Sequence, residues 1–104
     1  MLKPEDIEKL RGLLIEACDN FIAKGGTVIA GSFRNDYTHY CPVTCLVGMP
    51  ETGGFDKPLS KILGTTLSAN ELWQFTDAFD GYADGDQSPL SRLGRELRTK
   101  YLGK

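Results

Sequence analysis

Apolar residues near the start of the chain recur at steps of three and four positions. The residues with this spacing are Ile7, Leu10, Leu14, Ala17 and Phe21. Such a spacing places side chains on one face of an α-helix, and the opposite positions are mostly charged. Pro4 suits a first helical turn, and the Gly25-Gly26 pair suits a stop. The pattern predicts an amphipathic surface helix over about residues 4–24.

Two runs after the glycine pair have a different character. Residues 27–30 read Thr-Val-Ile-Ala, residues 39–47 read His-Tyr-Cys-Pro-Val-Thr-Cys-Leu-Val, and a polar stretch over residues 34–36 lies between them. β-Branched and aromatic residues favour strands, so the two runs predict a short β-hairpin. Pro42 cannot donate to a strand ladder, which makes the second run an edge strand, a bulged strand or a turn before a short helix.

A loop and two helices follow. Residues 48–54 are dense in Gly and Pro and predict an exposed loop. Asp56 and Gly64 mark the start and stop of a short helix. Ser68 followed by Glu71 has the spacing of a capping box, and it precedes a helix over about residues 69–80. The apolar face of that helix comprises Leu72, Phe75 and Phe79. Trp73 widens this face.

The last element is a helix over about residues 89–102. Ser88 can cap it, Pro89 fits its first position, and Gly103 follows its end. Its apolar positions are Leu90, Leu93, Leu97 and Tyr101. The elements together predict one α+β domain spanning residues 1–104 and dominated by helices. Its order is a long N-terminal helix, a short β-hairpin, a short helix and two further amphipathic helices.

Composition excludes several classes of protein. The chain has 104 residues, of which 25% are charged and 40% hydrophobic, an ordinary globular mixture. Its formal charge of -2 gives no global attraction to nucleic acid or to an anionic membrane. No stretch approaches the roughly 20 apolar residues that cross a bilayer, and the N-terminal residues lack a secretory apolar run. We therefore expect a cytoplasmic protein without membrane contact.

The charge layout is more informative than the total. Residues 71–86 contain five acidic and no basic side chains, whereas the predicted last helix carries Arg92, Arg95 and Arg98. Part of this pattern is ordinary helix stabilisation, because cations near a helix C-terminus favour the macrodipole and Glu96 lies four residues from Arg92. The functional interpretation is that the three arginines form a patch for a phosphate group or an acidic protein surface.

Cysteine and histidine are the remaining candidates for chemistry. Cys18, His39, Cys41 and Cys45 would supply four zinc ligands if the fold brought them together, but they lack the close Cys-x-x-Cys pairing of structural zinc sites. The odd number of cysteines favours reduced thiols. His39 and Cys41 would lie roughly 6–7 Å apart along one strand, too far for a nucleophile and its base. A structural role is therefore favoured for all four residues.

No motif in the chain names a reaction. Neither a Gly-x-Gly-x-x-Gly loop nor a Walker lysine occurs, so no nucleotide cofactor is expected, and a non-enzymatic role is favoured over an enzymatic one. The leading hypothesis is a small accessory or regulatory domain that binds another protein through arginines and exposed aromatics. Its predicted contact residues are Arg92, Arg95, Arg98 and Tyr82.

Two alternatives stay open beside it. One is a zinc-binding domain built on the four Cys and His residues. The other is a nucleic-acid-binding domain that uses the basic last helix. The last two predicted helices resemble the helix pair of winged-helix and helix-turn-helix domains, over about a third of the chain. The connection over residues 81–88 is longer than in those families, no wing follows, and the adjacent acids would repel phosphates.

Overall fold

The computed structural model describes residues 2–51 and 53–104. Met1, in the predicted N-terminal segment, and Thr52, in the predicted loop over residues 48–54, lie outside this part of the chain. The described residues form a mostly helical α+β fold, as expected. The helices are α1 (Pro4–Ala23), α2 (Pro42–Val47), α3 (Asp56–Leu63), α4 (Ala69–Asp80) and α5 (Pro89–Leu102), and the strands are β1 (Thr27–Val28), β2 (Arg34–Asp36) and β3 (His39–Tyr40).

Helix α1 follows the predicted boundaries closely. The Lys3 backbone N–H donates to the Asp6 carboxylate at 2.9 Å and so satisfies one of the free groups at the helix start. Leu10, Leu14 and Cys18 are the buried residues of α1. These three side chains bring α1 into the apolar core, which also receives residues from every other helix.

The small sheet differs from the predicted hairpin. Its strand order is β1-β3-β2, with β1 parallel to β3 and β2 antiparallel to β3. A hairpin is present, but its first strand is Arg34–Asp36, which the sequence assigned to the connection. The prediction that residues 27–30 and 39–47 pair as a hairpin was wrong. Asp36 explains the turn, because its carboxylate accepts from the Thr38 backbone N–H at 2.7 Å.

The second apolar run is mostly helix rather than strand. Only His39 and Tyr40 belong to β3, and α2 begins directly afterwards with Pro42 in its first turn. Proline is well suited to that position because the N–H it lacks would have no partner within the helix. Of the three possibilities predicted for this run, the structure therefore agrees with the last, a turn that leads into a short helix.

The capping box predicted for α4 is confirmed. The Ser68 side chain accepts from the Glu71 backbone N–H, and the Glu71 carboxylate accepts from the Ser68 N–H at 3.1 Å. The core-facing residues Phe75 and Phe79 are buried, but the Trp73 side chain is 63% exposed. The prediction that Trp73 widens the core face was wrong, since most of its side chain is exposed and it does not belong to the core.

Helices α4 and α5 pack closely and run in the same direction, because residues that are later in α4 contact residues that are later in α5. The Ser91 hydroxyl lies 3.3 Å from the Gln74 carbonyl oxygen, Gly94 lies against Phe75 and Phe79, and the Arg98 guanidinium lies against Gly81. The connection over residues 81–88 must therefore return along α4 before α5 begins. The helix-turn-helix families instead join their helices by about 3–4 residues at a steep angle.

Candidate functional site

The structure contains an apolar cleft that the sequence did not predict. Its volume is about 250 Å³, and one wall is helix α4 while the other is the backbone between β1 and β2 together with the start of α2. The side chains that give the cleft its apolar character include Phe33, Val43, Phe75 and Phe79. Asp80 also lines it. The cleft is thus a concave surface with three aromatic residues and one carboxylate in its lining.

Three local interactions hold the wall opposite α4. The Gly31 backbone N–H donates to the Asp80 carboxylate at 2.8 Å, which ties the β1–β2 connection to the end of α4. Gly31 has a φ of +83°, a left-handed conformation that favours glycine. The Cys41 N–H donates to the Phe33 carbonyl oxygen at 2.9 Å, and the Phe33 and Phe55 ring centroids lie 4.2 Å apart. The cleft is therefore a formed feature of the folded chain.

Exposed aromatic side chains lie beside the cleft. Phe33 is 40% exposed although it lines the cleft, and Trp73 lies one helical turn before the lining residue Thr76. Residues three apart on a helix share a face, so Trp73 extends the apolar surface along α4. Among the other aromatics outside the long helices, Tyr37 and Tyr82 are exposed, Tyr40 is half-buried and stacks on Phe21, and Phe55 is buried.

Acidic side chains accompany this surface. Asp77 and Asp80 belong to α4, and Asp84 follows in the connection to α5. Asp77 and Asp84 are exposed, and Asp80 is partly exposed. Unlike charges attract across an interface, so a surface of this kind favours a basic segment of a partner.

The three candidate arginines do not share one environment. Arg92 is exposed and lines a shallow groove against α1, together with Ile7, Glu8 and Glu96. The Arg95 guanidinium donates to the Ala83 carbonyl oxygen at 2.8 Å and thereby holds the connection between α4 and α5. Tyr82, the fourth candidate, lies in that connection and is 80% exposed. Only Arg92 and Tyr82 are therefore exposed among the predicted contact residues.

Arg98 has an unusual position for a charged residue. Its guanidinium lies over Gly81, where an added Cβ would fall 2.8 Å from the Arg98 Cζ. Its Nε atom is buried and has no hydrogen-bond partner among the described residues. Gly81 also has a φ of +92°. The glycine thus makes room for the arginine, and both close the C-terminal end of α4.

The structure brings the three cysteines together and leaves the histidine apart. Cys18 of α1, Cys45 of α2 and Cys41, the residue just before α2, lie at the contact between these two helices. His39 instead interacts with Asp36 through its Nδ1 atom, 3.0 Å from the carboxylate. This contact and the hydrogen bonds from Thr38 hold the pKa of Asp36 well below its usual range.

The thiols have no metal-binding arrangement. Within residues 2–51 and 53–104, no group of three or more Cys, His, Asp or Glu side chains has positions that fit a metal ion. The Cys41 thiol contacts the Thr44 hydroxyl at 3.4 Å, and burial raises the pKa of Cys41. Three of the four candidate zinc ligands, the cysteines, thus lie together at a helix contact, and His39 lies outside it.

Comparisons with known proteins do not assign a function. No protein-family model matches this chain. No curated protein and no solved structure matches it either. Among the described residues, no helix has both the length and the apolar character needed to cross a membrane. Any functional conclusion therefore comes from the chain's own surfaces.

Sequence reasoning missed the cleft for a clear reason. Its walls come from residues 31–33, residues 41–43 and α4, which are far apart in the chain. Trp73 carried a signal that could have been used: it directly follows Leu72, and successive helical positions are turned by about 100°. The spacing of Leu72, Phe75 and Phe79 therefore already directs Trp73 away from the centre of their face.

Proposed function

We propose that this chain is a non-enzymatic module that binds a segment of another protein. The segment would place a bulky apolar side chain in the cleft and basic side chains over Asp77 and Asp84. The single observation that carries this proposal is the cleft of about 250 Å³, which the exposed Phe33 lines and beside which the exposed Trp73 lies on α4. Large aromatic side chains are frequent anchors of protein interfaces.

Charge supports a basic partner segment. Asp80 lines the cleft, Asp77 is exposed one turn earlier on α4, and Asp84 is exposed in the connection that follows. The Arg95 guanidinium instead donates to Ala83, and the Arg98 guanidinium lies against Gly81. Asp77 and Asp84 are therefore more exposed than Arg95 and Arg98. Tyr82, two residues after the end of α4, is also exposed. Arg92, on the groove against α1, is a candidate for a second contact with the same partner.

The test uses two synthetic peptides that differ only in charge. Both have a central leucine-phenylalanine pair, flanked by lysines in one and by glutamates in the other. Trp73 is the one tryptophan of the chain, so its fluorescence reports binding at this surface directly. We expect the lysine peptide to bind at least about tenfold more tightly, and this preference to fall as salt is added.

Variants connect the binding to the cleft. Calorimetry with Phe33→Ala and Trp73→Ala is expected to show affinity for the lysine peptide reduced by about tenfold or more. Tyr37→Ala is the matched control, because this aromatic is 78% exposed and does not line the cleft. Equal binding of both peptides, or equal losses in all three variants, would contradict the proposal.

The nucleic-acid hypothesis gives a different outcome. A mixed DNA or RNA pool would then bind at low salt with a steep salt dependence, and Arg92→Ala would weaken it. Such a result, without binding of the lysine peptide, would replace the protein-binding proposal. Binding of the peptide and absence of nucleic-acid binding would support it.

A further inference from the structure

The contact between α1 and α2 contains two thiols with very different access to solvent. Cys18 lies on the buried face of α1 and is 0% exposed. Cys45 lies in α2 and is half-buried. It lines a groove of about 390 Å³ between the two helices, and Cys18 is absent from the groove lining. A small molecule in the groove would therefore meet Cys45 first, with Cys18 behind it.

The groove around Cys45 has a mixed lining. Its other residues are the apolar Leu13, Ala17, Phe21 and Leu46 and the polar Glu16, Asn20 and Lys24. The polar residues keep it accessible to water, while the apolar ones shield part of the thiol. A small neutral oxidant such as hydrogen peroxide suits this setting better than a bulky charged reagent does.

The two thiols also influence each other's ionisation. A side-chain hydrogen bond with Cys18 lowers the pKa of Cys45, against the opposing effect of burial. The same interaction, followed by burial, raises the pKa of Cys18. Cys45 also packs against the buried core cluster that contains Cys18. The thiolate is the reactive form of cysteine, so the accessible thiol is also the more reactive one.

We propose that Cys45 is a peroxide-reactive thiol and that Cys18 is the partner with which it forms a reversible disulfide. Cys41 is the only other cysteine, and it is poorly placed for this role. It is the N-cap of α2, four residues before Cys45, and its thiol contacts Thr44. Cβ atoms at that spacing are about 5–6 Å apart on a helix, whereas a disulfide needs about 3.5–4.5 Å.

The reaction balances with hydrogen peroxide as the oxidant. The Cys45 sulfur attacks one peroxide oxygen, an S–O bond forms and the O–O bond breaks. The departing hydroxide takes the proton that Cys45 lost, which gives water and a sulfenic acid. The Cys18 sulfur then attacks the Cys45 sulfur, the S–S bond forms and the S–O bond breaks. The second hydroxide leaves with the Cys18 proton as water. Two thiols are oxidised, and one peroxide is reduced to two waters.

The experiment treats the reduced full-length chain with one equivalent of hydrogen peroxide, alkylates the remaining thiols after unfolding, and maps the products by mass spectrometry. We expect an intramolecular Cys18–Cys45 disulfide, an alkylated Cys41, and complete reversal by dithiothreitol. In Cys18→Ala the reaction should stop at a Cys45 sulfenic acid, which dimedone traps. Cys41→Ala is the matched control and should form the disulfide as the wild type does.

A second measurement needs no variant and so does not depend on the folding of Cys18→Ala. In the native wild-type chain, iodoacetamide should alkylate Cys45 at least about tenfold faster than Cys18 or Cys41, because Cys45 is the most exposed of the three thiols and its pKa is lowered while the other two are raised. The proposal is overturned if Cys41 appears in the disulfide, if only disulfides between chains form, or if the three cysteines are alkylated at similar rates.

Discussion

Gly94 of α5 lies so close to Phe75 of α4 that a Cβ added at Gly94 would clash with the Phe75 carbonyl oxygen. The same added atom would fall 2.9 Å from the Ala78 Cβ and 3.0 Å from the Phe79 backbone nitrogen. Gly94 is in the middle of α5, where glycine is intrinsically unfavourable by roughly 0.5–1 kcal/mol relative to alanine. The close approach of α4 and α5 explains why a helix interior carries glycine here.

Gly94→Ala is expected to lower the free energy of unfolding. The added methyl group would push against α4 backbone atoms that cannot rotate away, and overpacking of this kind costs about 1–3 kcal/mol. Urea denaturation followed by circular dichroism measures the change. The control is Gly12→Ala in α1, where an added Cβ meets no atom within 4 Å. This control should gain about 0.5–1 kcal/mol. Equal stabilities for the two variants would contradict the close contact.

Arg95 and Arg92 are expected to differ in their effect on stability. Arg95→Ala removes the 2.8 Å hydrogen bond to the Ala83 carbonyl oxygen, which is left with the Asp86 N–H as a donor at 3.1 Å, and this loss should cost about 1 kcal/mol. Arg92→Ala changes an exposed side chain and should stay within about 0.5 kcal/mol of the wild type. Thermal unfolding of both single variants measures this. If both are neutral, Arg95 does not hold the connection between α4 and α5.

Alanine substitutions of two nearby aromatics of α4 are expected to change the free energy of unfolding by very different amounts. Phe75 is 2% exposed in the core, so Phe75→Ala should cost about 3–5 kcal/mol. Trp73→Ala should change the free energy of unfolding by no more than about 0.5 kcal/mol, because the tryptophan is largely exposed. Denaturant unfolding distinguishes the two. A large loss in Trp73→Ala would mean that Trp73 packs in the core, and it would remove the basis for the proposed binding surface.

Asp86 is expected to make stability depend on pH. The Ser88 N–H donates to its carboxylate at 2.9 Å and the Ser91 hydroxyl at 2.8 Å, and these hydrogen bonds lower the pKa of Asp86. A lowered pKa in the folded state means that the unfolded chain binds the proton more readily. The stabilisation is therefore present above the ordinary aspartate pKa of about 3.9 and is lost as the pH falls through the folded value.

The comparison that reveals this effect is Asp86→Asn against the wild type from about pH 7 to about pH 2, the range over which an aspartate titrates. The wild type should be the more stable at neutral pH, and the difference should shrink at the acidic end. Asp84→Asn, a change at an exposed aspartate in the same connection, controls for the loss of one negative charge. A difference of constant size across the range would show that ionisation of Asp86 does not contribute.

The sequence alone determined most of the helical structure. The periodicity of Ile7, Leu10 and Leu14 and the Ser68–Glu71 capping box are local signals, and they predicted α1 and α4 nearly to the residue. The apolar run that continues from Pro42 was ambiguous between strand and helix. A short apolar run fits both the two-residue period of a strand and the 3.6-residue period of a helix. Which of the two forms therefore depended on what the run packs against.

The candidate site, in contrast, was decided by the tertiary structure. Strand pairing joins residues that are distant in the chain, so β3 pairs in parallel with β1 and forms its hairpin with β2, although the sequence favoured a hairpin with residues 27–30. The cleft, the position of Arg95 at Ala83 and the meeting of Cys18 with Cys45 depend on the same long-range packing. The sequence determined which faces are apolar and which are charged, because those depend on side-chain chemistry and helical period. Only the fold decided which faces meet, because that depends on the fit of distant segments to one another.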